Sequence, residues 1–324
     1  MAETLIAQTP TSANGRHADE VVLRARQLSK RYGQRDAVND LNLQVRRGEI
    51  FGFLGPNGAG KTTTIRMALG LIAPTAGSVE ILGQNVATHG GQILPRVGAL
   101  VETPALYTYM SGRDNLRAVA AVLGGVPAER VQQVLELVNL RERQRDRVKT
   151  YSLGMKQRLG VAIALLQDPD LLILDEPANG LDPAGIVEMR DLLRQLAAQG
   201  KTVFISSHVL GEVQQICTRV AIINLGKLVT ESTVEDLVRG HGEFVVRVER
   251  PGEALALLRA QPWGASARLD HDNTIITPAP EGRGRDLNVF LVQAGYAPDG
   301  VAPYAQDLEQ VFLQLTHSGR GANA

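Results

Sequence analysis

The sequence predicts an α/β fold: a buried central sheet with flanking antiparallel strands, a helical subdomain inserted between sheet strands, and a small α+β domain near the C-terminal end. Three observations carry this expectation. Ile50-Phe-Gly-Phe-Leu54, Leu171-Leu-Ile-Leu-Asp175 and Thr202-Val-Phe-Ile205 are short, nearly unbroken apolar runs, the pattern of strands buried on both faces. Between about Ala99 and Gln167 such runs give way to helical periodicity. Beyond Gly242 the elements read as βαββαβ, the order of a small ferredoxin-like domain.

Taken in order, residues 1–20 are polar with no hydrophobic signal core, and a disordered tail is expected. Val21 to Gln27 reads as the first strand and leads to Ser29-Lys-Arg-Tyr-Gly33. Leu41-Asn-Leu-Gln-Val45 alternates apolar and polar with period two, a half-buried strand, and turns through Gly48-Glu49 into Ile50–Leu54. Next comes Gly55-Pro-Asn-Gly-Ala-Gly-Lys-Thr62, which fits G-x-x-x-x-G-K-[ST], the P-loop pattern. Successive backbone N–H groups in such a loop cradle the crowded oxygens of a triphosphate, and Gly55, Gly58 and Gly60 let the backbone curl and approach without a Cβ in the way. Asn57 and Thr63 belong to the same phosphate-binding stretch. Lys61 would reach the β- and γ-phosphates as a point charge, and the Thr62 hydroxyl would hold Mg²⁺. After the loop Ile65, Ala68, Leu69 and Ile72 form one helical face, on a helix whose N-terminus points at the phosphates.

In the helical block Asn115 to Leu123 begins one helix, and Val131, Val134, Leu135 and Val138 mark the buried face of another. Arg141-Glu-Arg-Gln-Arg-Asp-Arg147 alternates bases with acids and reads as a solvated face. Leu171–Asp175 then delivers Asp175 and Glu176 to the C-terminal edge of a buried strand, where α/β sheets place their ligands. Asp175 suits the Mg²⁺ shell, and Glu176 can orient or deprotonate an attacking water. Asp182-Pro183 is an N-cap followed by proline at the first helical position. That helix buries Met189, Leu192, Leu193 and Leu196 and stops at Gly200. His208 follows the strand Thr202–Ile205 at its edge, within reach of a γ-phosphate. Val220–Asn224 and Leu228-Val229, joined by Leu225-Gly226, read as a hairpin at the sheet edge. The nucleotide-binding region is expected to end near 239 and the small domain to span 243–317. Phe244–Glu249, Ala265–Leu269, Thr274–Thr277 and a segment near Val301 are its strands. Ala254–Ala260, Leu287–Ala294 and Asp307–Leu315 are its helices, and 318–324 is a tail.

Composition narrows the function. Lys+Arg and Asp+Glu both total 34 among 324 residues, so no bulk charge favours nucleic acid as a partner. The single cysteine, Cys217, lies in an apolar-periodic stretch as a core residue and suits a reducing interior. No apolar run approaches the roughly 18 residues that span a bilayer. A cytoplasmic protein is expected.

One stretch points to a family. Tyr151-Ser-Leu-Gly-Met-Lys-Gln-Arg-Leu159 precedes the acidic strand and opens a helix, where a serine hydroxyl and a glycine N–H form an anion site. It resembles the signature motif of ABC ATPases. The order P-loop, signature, Leu-Leu-Ile-Leu-Asp-Glu, Gly-Leu-Asp-Pro and Ser-Ser-His strengthens that resemblance over roughly residues 20 to 240. It implies that two ATPase domains stack head to tail, each signature closing on the other's γ-phosphate. It further assigns Tyr32 to adenine stacking, Lys61 to the phosphates, Thr62 and Asp175 to Mg²⁺ and Glu176 to the catalytic base. Ser152 and Gly154 fall to the partner's phosphate, Asp182 to the dimer loop and His208 to the γ-phosphate switch. The texture around Val101–Tyr107, the Ser-Leu-Gly-Met variant and Asp307–Thr316 resemble the bacitracin- and lantibiotic-type export ATPases, whose membrane permease is a separate polypeptide. The implied role is an ATP-hydrolysing subunit, peripheral on the inner membrane face, that powers export of a drug, antibiotic peptide or lipid-like cargo.

Four positions depart from the pattern. Leu153 and Met155 replace glycine and glutamine in the signature, and Ala178 replaces threonine after Asp-Glu-Pro. Glu102 stands where a glutamine is usual and becomes a metal-ligand candidate, since a carboxylate holds Mg²⁺ more strongly than an amide does. The competing reading is an ABC ATPase of DNA repair or translation. Such proteins tend to carry coiled-coil insertions, zinc cysteines or two ATPase domains in one chain, and none appears here.

Overall fold

The structure is a computed structural model describing residues 20–270, 272–305 and 307–317, so the two expected tails fall outside the described residues except for Glu20. The chain divides into two compact units, Met1–Glu231 and Ser232–Ala324.

In the first unit the strands are β1 (Val21–Tyr32), β2 (Arg35–Arg46), β3 (Ile50–Leu54), β4 (Ala76–Ile81), β5 (Gln84–Asn85), β6 (Val97–Leu100), β7 (Leu171–Asp175), β8 (Thr202–Ser207), β9 (Arg219–Asn224) and β10 (Lys227–Thr233). The helices are α1 (Lys61–Ala68), α2 (Val86–Ile93), α3 (Gly112–Leu123), α4 (Ala128–Leu137), α5 (Leu153–Ala164), α6 (Pro183–Ala198) and α7 (Leu210–Ile216). Strands β3, β7 and β8 are buried along their whole length, as unbroken apolar runs require. They form the middle of a sheet ordered β10-β9-β3-β8-β7-β6, in which β9, β3, β8, β7 and β6 pair in parallel. A second, antiparallel sheet is ordered β2-β1-β4-β5. One apolar core joins the two sheets to α1: Leu28 and Leu41 come from the antiparallel sheet, Ile65 from the helix, and Phe51, Ile173 and Phe204 from the parallel one. Phe204 stacks on Phe51 with ring centroids 5.9 Å apart.

Several expectations need correction. β1 runs on through Tyr32 and β2 begins at Arg35, because the two pair as a hairpin closing at Tyr32 and Arg35. α1 stops at Ala68, so Leu69 and Ile72 lie past its end, before and after the left-handed Gly70. Leu69 is buried even so, and Ile72 packs on the rim of the core. β4, β5 and α2 are additional elements that the sequence pattern does not announce. The helical block starts later than Ala99, since Val97–Leu100 pairs with β7 as a sheet strand. Within the block Val131, Val134, Leu135 and Val138 are buried as expected.

The second unit contains α8 (Val234–Val238), β11 (Arg239–Arg247), α9 (Pro251–Arg259), β12 (Arg268–Leu269), β13 (Ile275–Pro278), α10 (Gly284–Gln293), β14 (Gly300–Ala305) and α11 (Leu308–His317). The sheet order β12-β13-β11-β14, antiparallel throughout, is the ferredoxin-like arrangement of a βαββαβ chain. Val246, Leu258, Ile275, Leu287 and Leu291 build its core.

Candidate active site

The phosphate-binding loop and the two acids hang on the C-terminal ends of the parallel strands. Leu54 pairs with Ser207, and Asp175 with Ser206, so β3, β7 and β8 end side by side. From Leu54 the chain curls through the P-loop into α1. Gly60 sits at φ +110°, and a Cβ there would lie 2.5 Å from the Ala37 carbonyl oxygen. Gly55 is hemmed in as tightly, with the Ile223 carbonyl oxygen 2.6 Å from where its Cβ would be. Both positions therefore demand glycine.

The loop presents Lys61, buried at the start of α1, whose Nζ donates to the Gly55 carbonyl at 2.7 Å and lies 3.2 Å from Glu176 Oε1. Thr62 Oγ1 donates to Asp175 Oδ2 at 2.9 Å. The other Asp175 oxygen accepts from Ser206 Oγ at 2.5 Å, and Ser206 Oγ in turn accepts the Glu176 N–H at 3.0 Å. Ser206 thus fixes both acids at once. Glu176 takes a left-handed backbone, φ +52°, and its Oε2 lies 2.7 Å from His208 Nδ1. Glu176 is therefore held between a lysine and a histidine, beside a hydroxyl–carboxylate pair.

These groups open on a cleft of about 520 Å³, lined by Tyr32, Asn57, Gly58, Thr63, Glu176 and His208 among others. That volume suits a nucleotide-sized ligand. Tyr32 is half exposed at the rim, with Lys30 Nζ 5.2 Å from its ring centroid. Arg35 and Asn179 also line the cleft and were not foreseen. Arg35 follows the hairpin turn after Tyr32, and the turn itself was the available signal.

Other expected site residues stand apart from this cleft. Ser152 caps α5, its Oγ accepting the Met155 N–H at 3.2 Å, with Gly154 in the first turn. Asp182 caps α6, accepting the Gly185 N–H at 3.1 Å. Neither cap lines the cleft. Glu102 is not gathered to the Thr62–Asp175 pair: its Oε1 accepts from Arg66 Nη2 at 2.6 Å. The aromatic loop near it is open, with Tyr107 and Tyr109 52% and 70% exposed and their rings 6.0 Å apart.

Glu212 of α7 is a further acid at the back of the site, sharing a largely apolar recess with Glu176 and Arg190. Burial raises its carboxyl above the usual range; His208 opposes this, and Glu176 adds to it. An acid whose folded pKa is raised costs stability above that pKa and nothing below its unfolded one. Glu212→Gln is therefore expected to raise the melting temperature at neutral pH, with the gain vanishing below about pH 4. Thermal melts across that range check this; an equal gain at acid pH would contradict it. Cys217 is buried, and burial pushes its thiol pKa up, so it is an unreactive core residue.

A glycine cradle, a lysine at the helix start and two acids at a parallel-sheet edge define a P-loop nucleoside triphosphatase. Residues 38–179 match the family model described as ABC transporter. The chain is 45% identical over 302 residues to the bacitracin transport ATP-binding protein BcrA of Enterococcus faecalis, covering 93% of this chain and 98% of that one. The BcrA of Bacillus licheniformis is 40% identical over 300 residues, covering 92% and 98%. Among solved structures, an ATP-binding subunit of an ABC transporter is 31% identical with a TM-score of 0.60, covering 67% of this chain and 92% of that one. The chain belongs to the ABC transporter ATP-binding proteins, ATPases coupled to transport.

Proposed function

We propose that this chain hydrolyses ATP to drive export of an antibiotic peptide, drug or lipid-like cargo through a separate membrane permease, working as a head-to-tail pair on the inner face of the membrane. The observation that carries the reading is Glu176, set between Lys61 and His208 and next to the Thr62–Asp175 pair. High-coverage likeness to bacitracin transport ATP-binding proteins supports the cargo class. Among the described residues no helix is long and apolar enough to cross a membrane, which fits a division of labour with a permease.

ATP would lie in the cleft with its base against Tyr32 and its phosphates on the N–H groups of residues 57–63. Lys61, already at the loop, neutralises phosphate charge. Thr62 Oγ1 and Asp175 Oδ2 are two hard oxygen donors side by side, a set that fits Mg²⁺, which keeps several waters and takes few protein ligands. Thr62 and Asp175 would hold such an ion, whose charge would offset the negative charge of the phosphates. Glu176 accepts the proton of the attacking water, and His208 fixes the carboxylate's orientation through Oε2. Ser152 and Gly154, at the start of α5 and outside the cleft, are free to meet the γ-phosphate of a second copy. Asp182, the N-cap of α6, would join that dimer face.

The exposed pair Tyr107 and Tyr109 is the docking surface for the permease, since clustered exposed aromatics anchor interfaces. With Tyr107→Ala and Tyr109→Ala combined, co-purification of a co-expressed permease should fall about tenfold or more, with isolated ATP turnover unchanged. Intact complex formation would move the interface elsewhere. Export is tested by cargo-stimulated ATP turnover of the complex in vesicles; a complex that ignores every antibiotic peptide and lipid offered loses this cargo class.

A further inference from the structure

Strands β1 and β2 close as a hairpin in which Tyr32 and Arg35 are cross-strand partners on either side of Gly33 and Gln34. Side chains of directly opposed partners leave a ribbon on the same face. Both accordingly line the nucleotide-sized cleft, together with Asn57 and Gly58 of the P-loop. Arg35 does more than line it. Its Nη2 lies 3.6 Å from where a Cβ on Gly58 would stand, so the guanidinium rests against the loop that receives the phosphates. Three cations, Lys30, Arg31 and Arg35, stand at the closed end of the hairpin, and two are already committed. Lys30 Nζ donates to the Ala73 carbonyl at 2.7 Å, and Arg31 is paired with Asp36. Arg35 is exposed and, among the described residues, has no hydrogen-bond or carboxylate partner.

We propose that Arg35 is a nucleotide-binding residue whose guanidinium donates to phosphate oxygens of the bound nucleotide from the Gly58 side of the loop. This rests on the ATP-binding reading above. An uncommitted guanidinium has no partner to give up before it binds, and its planar fork of donors suits phosphate oxygens. Lys61 differs, being buried, held to the Gly55 carbonyl and facing Glu176. Arg35 thus supplies an outer cation and Lys61 an inner one. One hairpin would then hold base and phosphates together, Tyr32 through its ring and Arg35 through its charge. Because Arg35 is exposed, water screens its contact, and it contributes less to affinity than the buried lysine does.

The test is equilibrium binding of a non-hydrolysable ATP analogue with Mg²⁺ to the full chain, which reads affinity without turnover. Arg35→Gln should weaken binding about three- to tenfold, and Arg35→Glu by more than about tenfold. Arg35→Lys, which keeps the charge and loses the fork, should lie between wild type and Arg35→Gln. In the Tyr32→Ala background Arg35→Gln should cost the same factor to within about twofold, because base and phosphates are separate contacts. A cost that vanishes in that background would mean that Arg35 only supports the tyrosine, and would overturn the proposal. Superimposable wild-type and Arg35→Gln curves would overturn it as well. Failure of the wild type to bind the analogue would instead remove the ATP-binding reading of the cleft, and the Arg35 role with it.

Discussion

Glu176→Gln should bind ATP as the wild type does and turn it over about 10²- to 10⁴-fold more slowly, the range for loss of a positioned general base. Glutamine keeps the length of the side chain and an oxygen for His208, so the local packing survives. What it loses is the basicity needed to accept a proton. Thr62, Asp175 and Ser206 keep their mutual hydrogen bonds, which is why binding is spared. If opening of the paired state requires loss of the γ-phosphates, the variant should accumulate as an ATP-bound dimer. Phosphate release and nucleotide binding measured in parallel separate the two effects.

Lys61→Ala should fail at the earlier step. Lys61 is buried, its Nζ bonded to Gly55 and facing Glu176, in the stretch that receives the phosphates. Charge-assisted hydrogen bonds contribute about 1.5–3 kcal/mol, so nucleotide affinity should drop about ten- to a hundredfold. The two variants thus have opposite signatures: Glu176→Gln binds without turning over, and Lys61→Ala binds poorly. Tight binding by Lys61→Ala would mean that the loop backbone alone carries the phosphates.

Much of this site can be read from residues in order, for a physical reason. β3, β7 and β8 are buried on both faces, so their apolar runs mark the strands almost to the residue, and the P-loop and the acids follow directly from their ends. The outer sheet is harder. The alternation in β1 breaks at Gln27, which takes φ +47° at an irregularity in the ladder, and the apolar side chains change phase there. The sequence pattern therefore ends the strand at Gln27, five residues short of Tyr32. Asp40, at φ +51°, interrupts β2 in the same way. α2 carries Gly90 and Gly91 and a non-helical His89, so nothing in its composition announces a helix. Contacts made only by folding stay invisible in the chain: Ser206 tying Asp175 to the Glu176 backbone, Arg66 meeting Glu102, and Glu212 reaching the back of the site. Glu102 illustrates the limit. Its position was legible, while the direction of its side chain depended on a residue 36 places away.

The central claim is that hydrolysis occurs at Glu176 in the cleft between the P-loop and β7. Bound ATP, phosphate release and molecular mass, measured on one preparation each of wild type and Glu176→Gln, test it most directly. The account predicts that the variant holds intact ATP, releases almost no phosphate and runs as a dimer, while the wild type releases phosphate and returns to monomers. Phosphate release by Glu176→Gln within about tenfold of wild type, with ATP bound normally, would place the base elsewhere and contradict it.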